Sequence, residues 1–223
     1  RDFNAAEQIQ GGGISSTGKR VVVQARGDIW TIPAENGMSR AITRTDGTVE
    51  RLPAWSPDGT RVAFVANRTD NPDGNSNTDI WVVDASNADK GASLLQITTN
   101  PGSDSSPVWS PDGEWIAYLT LDEPDLIWYE VNDLAMARAD GSGENRIVTE
   151  GLDRNVGDLH FSHDGRYVYF GIEDSAEQHV GRIDVRNGRM DRPVEGAFSA
   201  QSFDLGPQDR IFVSIARTDL PGE

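Results

Sequence analysis

The chain has 223 residues, a formal net charge of −16 and no cysteine, enough length to bury a substantial core as one large domain or two small ones. The charge argues against a nucleic-acid partner, whose phosphates would be repelled, and against docking on an anionic membrane surface. Without cysteine there are no disulfides, thiol nucleophiles or Cys-ligated zinc. No apolar run approaches the length of a membrane span. Lys occurs only at positions 19 and 90, which reads as composition and not as a site. The chain opens at Arg1-Asp2-Phe3 with neither initiator Met nor signal peptide, and is expected to be processed or excised from something longer.

Taken in chain order, one pattern returns. It is weak at Ile14-Ser15-Ser16-Thr17-Gly18-Lys19-Arg20, followed by Val21-Val22-Val23. It is strong at Trp55-Ser56-Pro57-Asp58-Gly59 before Arg61-Val62-Ala63-Phe64, and at Trp109-Ser110-Pro111-Asp112-Gly113 before Trp115-Ile116-Ala117-Tyr118. A further copy is Phe161-Ser162-His163-Asp164-Gly165 before Tyr167-Val168-Tyr169-Phe170, and a weak one starts at Phe203. The aromatic ends one strand, Pro presets φ, Asp bonds back to the turn backbone and Gly takes the left-handed position; the alternating run after it is the next strand. A third strand is expected at Asp28–Ile32, Asp79–Val83, Asp133–Ala137 and Val180–Val185. A fourth is expected at Ser39–Thr43, Ser93–Thr98 and Asn145–Thr149.

Successive anchors lie 41, 54, 52 and 42 residues apart. Blades of a β-propeller need about 40–50 residues, so two units carry insertions, at 67–78 and roughly 121–132. The fold predicted is an all-β propeller of four-stranded antiparallel blades, four complete and a fifth partial, forming a single domain or a propeller fragment over 1–223. The chain stops at Pro221-Gly222-Glu223 before the fifth blade's last two strands. Phe3–Ile9 supplies at most one of them, so an open arc or an unusual closure is expected, with pairing between copies through the open blade as one way to cover it.

The Trp-Ser-Pro-Asp-Gly hairpin with Asp-Ile-Trp one strand later resembles Tol-system and tricorn-type propellers, and the N-terminal propeller of prolyl oligopeptidase-family serine peptidases. Residues 25–59, with Ala25-Arg26-Gly27-Asp28-Ile29-Trp30 and Thr43-Arg44-Thr45-Asp46-Gly47, look most like a tricorn-type propeller. Residues 104–223, with Trp128-Tyr129-Glu130-Val131-Asn132-Asp133-Leu134 and Leu152-Asp153-Arg154-Asn155-Val156, look more like the acylaminoacyl- and dipeptidyl-peptidase branch. That resemblance implies a following α/β-hydrolase domain. The mixture fits an unusual homologue or a recombined propeller.

No Gly-x-Ser-x-Gly elbow occurs in the chain, and neither a catalytic residue, a metal site nor a cofactor is assigned. His163 fills the Pro place of the repeat turn, His160 precedes the strand-ending aromatic, and His179 lies in a polar connector. Gly13–Lys19 mimics a phosphate loop, but Arg20 stands where Ser or Thr is needed and a strand follows. The insertion Asp70–Asp79 is rich in oxygen ligands, yet Thr69 and Ile80 hold the end positions of the calcium spacing, so a polar hairpin loop is expected. Asn67-Arg68-Thr69 is a formal glycosylation sequon.

The second insertion sets Asp122, Glu123, Asp125 and Glu130 beside Trp128 and Tyr129. Two readings stand: a loop that holds a cationic or peptide ligand or a neighbouring domain, or a longer hairpin whose aromatics pack between blades. For the whole chain, the expected partners are a peptide, a protein or a missing hydrolase domain. The corresponding function is non-catalytic gating or orientation of peptide within a serine-peptidase-like protein, the alternative being a stand-alone scaffold or binding propeller.

Overall fold

The computed structural model describes residues 9–86, 88, 91–126 and 129–217. Residues 3–8, Trp128 and Pro221-Gly222-Glu223, on which parts of the sequence reading fall, lie outside them.

Four sheets of four antiparallel strands follow one another, and a two-stranded sheet completes the series. Blade 1 comprises β1 (Ile9–Ile14), β2 (Arg20–Ala25), β3 (Asp28–Pro33) and β4 (Arg40–Ala41). Blade 2 comprises β5 (Glu50–Trp55), β6 (Arg61–Ala66), β7 (Asp79–Asp84) and β8 (Leu95–Gln96). Blade 3 comprises β9 (Ser103–Trp109), β10 (Trp115–Leu121), β11 (Asp133–Arg138) and β12 (Arg146–Ile147). Blade 4 comprises β13 (Val156–Phe161), β14 (Tyr167–Asp174), β15 (Glu177–Asp184) and β16 (Met190–Val194), the last a strand the repeat pattern did not reveal. The fifth sheet pairs β17 (Ser199–Gly206) with β18 (Arg210–Ala216). This is an all-β propeller with four complete blades and a partial fifth.

Strand alternation explains how the blades stack. In β6, Val62, Phe64 and Ala66 pack with Val22, Ile29 and Ile42 of blade 1, while Ala63 and Val65 pack with Trp109, Ile116 and Tyr118 of blade 3. In blade 4, Val168, Phe170 and Ile172 meet Ala117, Leu134 and Met136 of blade 3, while Tyr169 joins Ala200 and Phe203 of the fifth sheet. The central strands of blades 2, 3 and 4 are therefore buried on both faces, one face per neighbour. That arrangement makes their sequences almost unbroken apolar runs.

The repeat turns show why their residues recur. Ser110 Oγ donates to Asp112 Oδ1 and accepts the Trp115 N–H at 2.9 Å, while Asp112 Oδ1 accepts the Glu114 N–H at 3.0 Å. Ser56 with Asp58, and Ser162 with Asp164, repeat this network. Gly59, Gly113 and Gly165 stand at φ +69°, +72° and +68°, where an L side chain is disfavoured. In the weak first copy Thr17 replaces Asp, and its hydroxyl lies 3.2 Å from Ser15 Oγ. Pro111 and Pro57 lie against the glycines of the neighbouring turns, so successive turns touch.

Candidate functional site

The Ser-Pro-Asp-Gly turns occupy one face of the propeller, so the second-to-third-strand connections, including both insertions, occupy the other. On this second face each third strand begins beside the next blade's inner strand. Glu50 N–H donates to Gly27 O at 2.8 Å, Asp104 N–H to Thr78 O at 2.7 Å and Val156 N–H to Asn132 O at 3.1 Å. Gly102, just before β9, is needed for the close approach of β9 and β10 within blade 3, since a Cβ there would meet the Leu121 carbonyl oxygen at 1.6 Å.

These bonds bring one pair of positions together at three seams, Asp28 with Glu50, Asp79 with Asp104 and Asp133 with Val156; at the fourth, His179 and Phe198 hold the matching places and meet through their rings. Threonines just after the outer strands anchor the neighbouring third strands. Thr43, Thr98 and Thr149 accept the N–H of Ile29, Ile80 and Leu134 at 2.8–2.9 Å. Thr149 Oγ1 then donates to Asp133 Oδ1 at 2.6 Å.

The pairs differ in charge balance. Glu50, fully buried, meets Arg68 Nη2 at 2.6 Å, and burial nevertheless pushes its carboxyl above the ordinary range. Asp79 and Asp104 are 4% and 0% exposed and form no ion pair among the described residues. Burial, with Asp104 adding to it, lifts Asp79 to about 7; burial likewise lifts Asp104 to about 6. At the last seam His179 is buried with Nδ1 unpartnered among the described residues, and its ring meets Phe198 edge-on at 6.4 Å. It lines a cavity of about 280 Å³ with Asn155, Glu173, Gln178 and Gln201.

The inner strands carry a second repeated feature. Each of the four complete blades has a β-bulge there, with Gly11, Leu52, Ser106 and Asp158 at φ +79°, +51°, +53° and +51°. These residues line a shared hollow of about 360 Å³ between the inner strands. Bulges re-aim side chains and gather beside functional openings.

The 121–132 insertion extends from the Asp104 seam. Pro124–Leu126 form a short 3-10 turn, and the Glu123 N–H donates to Glu130 Oε1 at 2.6 Å, tying the loop across its base. Asp122, Glu123 and Asp125 are exposed, and Tyr129 is 90% exposed. Tyr129 thus lies in solvent and not between blades. The loop 67–78 is knitted by its own amides: Asn67 Nδ2 donates to Asn75 Oδ1 at 2.7 Å, and Thr69 Oγ1 to Asn67 Oδ1 at 2.7 Å.

The remaining histidines sit in structural settings. His160 Nε2 lies 3.1 Å from Asp158 Oδ1 and the ring sits tilted against Phe203, with centroids 4.8 Å apart; His163 Nδ1 lies 2.7 Å from Asp209 Oδ1. Among the described residues no Ser hydroxyl is hydrogen-bonded to a His ring, and no three His, Asp or Glu side chains group as metal ligands. The repeat reading missed the seam pairs. Their signal is a carboxylate five residues before the strand-ending Trp, at Glu50 and Asp104.

No family model matches the chain. It is similar to dipeptidyl-peptidase 5 of Arthroderma otae, 30% identical over 173 residues, covering 71% of this chain and 23% of that protein. Like the other curated relatives that it matches, that protein is several times longer: the chain spans about a quarter of their length. In structure it is similar to the putative TolB from Agrobacterium tumefaciens, with TM-score 0.71 and 20% identity, covering 95% of this chain and 71% of that one. It is also similar to puromycin hydrolase, with TM-score 0.72 and 16% identity, covering 88% of this chain and 33% of that one. The fold is thus a β-propeller resembling TolB and the propeller domains of prolyl oligopeptidase-type enzymes.

Proposed function

We propose that this chain is the propeller portion of a protein like the dipeptidyl peptidases, performing no covalent chemistry itself but admitting or orienting peptides for a separate catalytic domain. The observation that carries this reading is the alignment, which spans most of the chain but under a quarter of a dipeptidyl-peptidase 5. The insertion face supports it, with exposed carboxylates at Asp122, Glu123 and Asp125 and the exposed ring of Tyr129, a combination suited to cationic and aromatic parts of a peptide. The Ser-Pro-Asp-Gly turns, from Trp55 to Gly59, Trp109 to Gly113 and Phe161 to Gly165, serve on this reading as structure alone.

The test is fluorescence anisotropy with labelled hexapeptides of net charge +2, 0 and −2. Binding should favour the cationic peptide, and Tyr129→Ala or Trp128→Ala should weaken it at least tenfold with the melting temperature unchanged. Absence of binding to all three, or binding indifferent to both substitutions, overturns the reading.

A stand-alone scaffold is favoured by one observation, the larger share of the putative TolB chain that is covered. On that reading β18 is the edge at which copies pair, and its own Phe212 is 60% exposed. Light scattering decides: a stable dimer supports pairing between copies, and a cooperative monomer excludes it.

A further inference from the structure

Of the seams on the insertion face, the one between blades 2 and 3 joins two buried carboxylates with no cation paired to them among the described residues. We propose that Asp79 and Asp104 hold a single proton between them, making this seam a pH-responsive joint that is tight in mildly acidic solution and loosened above neutrality.

Donor accounting supports a retained proton. Asp79 accepts from Gln96 Nε2 at 3.0 Å and Thr98 Oγ1 at 3.4 Å. Asp104 Oδ1 accepts from Thr120 Oγ1 at 2.7 Å. Thr98 Oγ1 accepts from Ile80 N–H and stands close to both carboxylates, so its one proton serves only one of them at a time, while Thr120 Oγ1 accepts from Asn100 Nδ2 and gives its proton to Asp104. Asp104 Oδ2 and Asn100 Oδ1 are buried without a donor among the described residues. A carboxylic acid O–H supplies the missing donor; a second negative charge there, buried, has no counter-ion among the described residues to stabilise it.

The ionisable groups acting on the pair are Asp122 on the insertion and Tyr118 on β10. An ionised Asp122 disfavours a second charge on the pair, and the neutral phenol of Tyr118 offsets none of it. The equivalent seam between blades 1 and 2 has Arg68 on Glu50, so the missing cation distinguishes this joint within the same repeat. Two carboxylates coupled in this way lose their protons in steps belonging to the pair and not to either residue.

Both groups bind a proton more tightly folded than unfolded, so their contribution favours the folded state at low pH. It declines as pH rises from the unfolded value of about 4 through the folded range. The test compares the unaltered chain with the double variant Asp79→Asn and Asp104→Asn between pH 5 and 8. The unaltered chain should lose melting temperature across this range more steeply than the double variant, which keeps only the dependence contributed by other raised groups such as Glu50; parallel curves overturn the proposal.

Should the double variant fail to fold, amide hydrogen exchange on the unaltered chain decides. After correction for intrinsic chemistry, protection in β7 and β9 should fall about tenfold from pH 5 to 8, while that in β14 and β15 holds. A uniform change across all blades overturns it.

Discussion

Trp109 of blade 3 donates its indole N–H to the carbonyl of Ala54 in blade 2 at 3.1 Å, as Trp55 does to Gly13 of blade 1 at 3.0 Å. The residue that ends one inner strand thereby latches onto the inner strand before it. At the next seam Phe161 takes the same place with no donor. Trp109→Phe should therefore keep the fold and cost about 1 kcal/mol, the net worth of one hydrogen bond. Trp109→Ala, which also opens a cavity between blades, should cost about 3–5 kcal/mol. Urea titration of both variants checks the difference.

Ser110 does two things in its turn, donating to Asp112 and accepting from the Trp115 backbone. Ser110→Ala leaves that N–H without its side-chain partner and should lose about 1–3 kcal/mol. Gly113→Ala, forced to φ +72°, should lose about 1–2 kcal/mol. The losses should appear as lowered midpoints in chemical denaturation with the m-value unchanged; wild-type midpoints in both variants would show that the turn does not organise the hairpin.

Arg68 compensates the buried Glu50 carboxylate. Arg68→Met should destabilise by about 3–5 kcal/mol near pH 7, because it strands a charge. Glu50 then takes up a proton more readily in the folded state than in the unfolded chain. The variant's deficit should shrink from pH 7 to pH 5, and adding Glu50→Gln should remove that dependence. A melting-temperature series over this range reads the sign directly.

Asp174 shows the opposite behaviour. Hydrogen bonds from Arg192, Arg154 and Ser175 hold its carboxyl near 2. Its folded value lies below the unfolded value of about 3.9, so its contribution is complete above that value and lost as pH falls toward 2. Asp174→Asn should flatten the acid limb of the stability profile there. An unchanged limb would mean that the two arginines contribute nothing through this group.

Much of the architecture was legible because the hairpin chemistry is local. A Trp, a Ser-Pro-Asp-Gly turn and an apolar run specify two strands wherever they occur, and their recurrence near 50 residues specifies blades. The second-strand alternation was visible, but not that Val62 and Phe64 face one neighbour while Ala63 and Val65 face another. That assignment depends on sheets stacking on both sides. The fourth strand Met190–Val194 escaped because its blade lacks the Thr that follows the outer strands of blades 1 to 3.

The candidate site was read only in part. The exposed carboxylates and Tyr129 of the 121–132 insertion could be singled out from composition, whereas the seam pairs join residues from different blades. Sequence by itself determined the repeat, its turns and the absence of a nucleophile elbow, since each is written in residues a few places apart. Only tertiary structure decided that Glu50 meets a cation and Asp104 does not. Both occupy the same place in the repeat; their electrostatics depend on what the neighbouring blade and connection bring within a few ångströms, in an interior where water cannot equalise the difference.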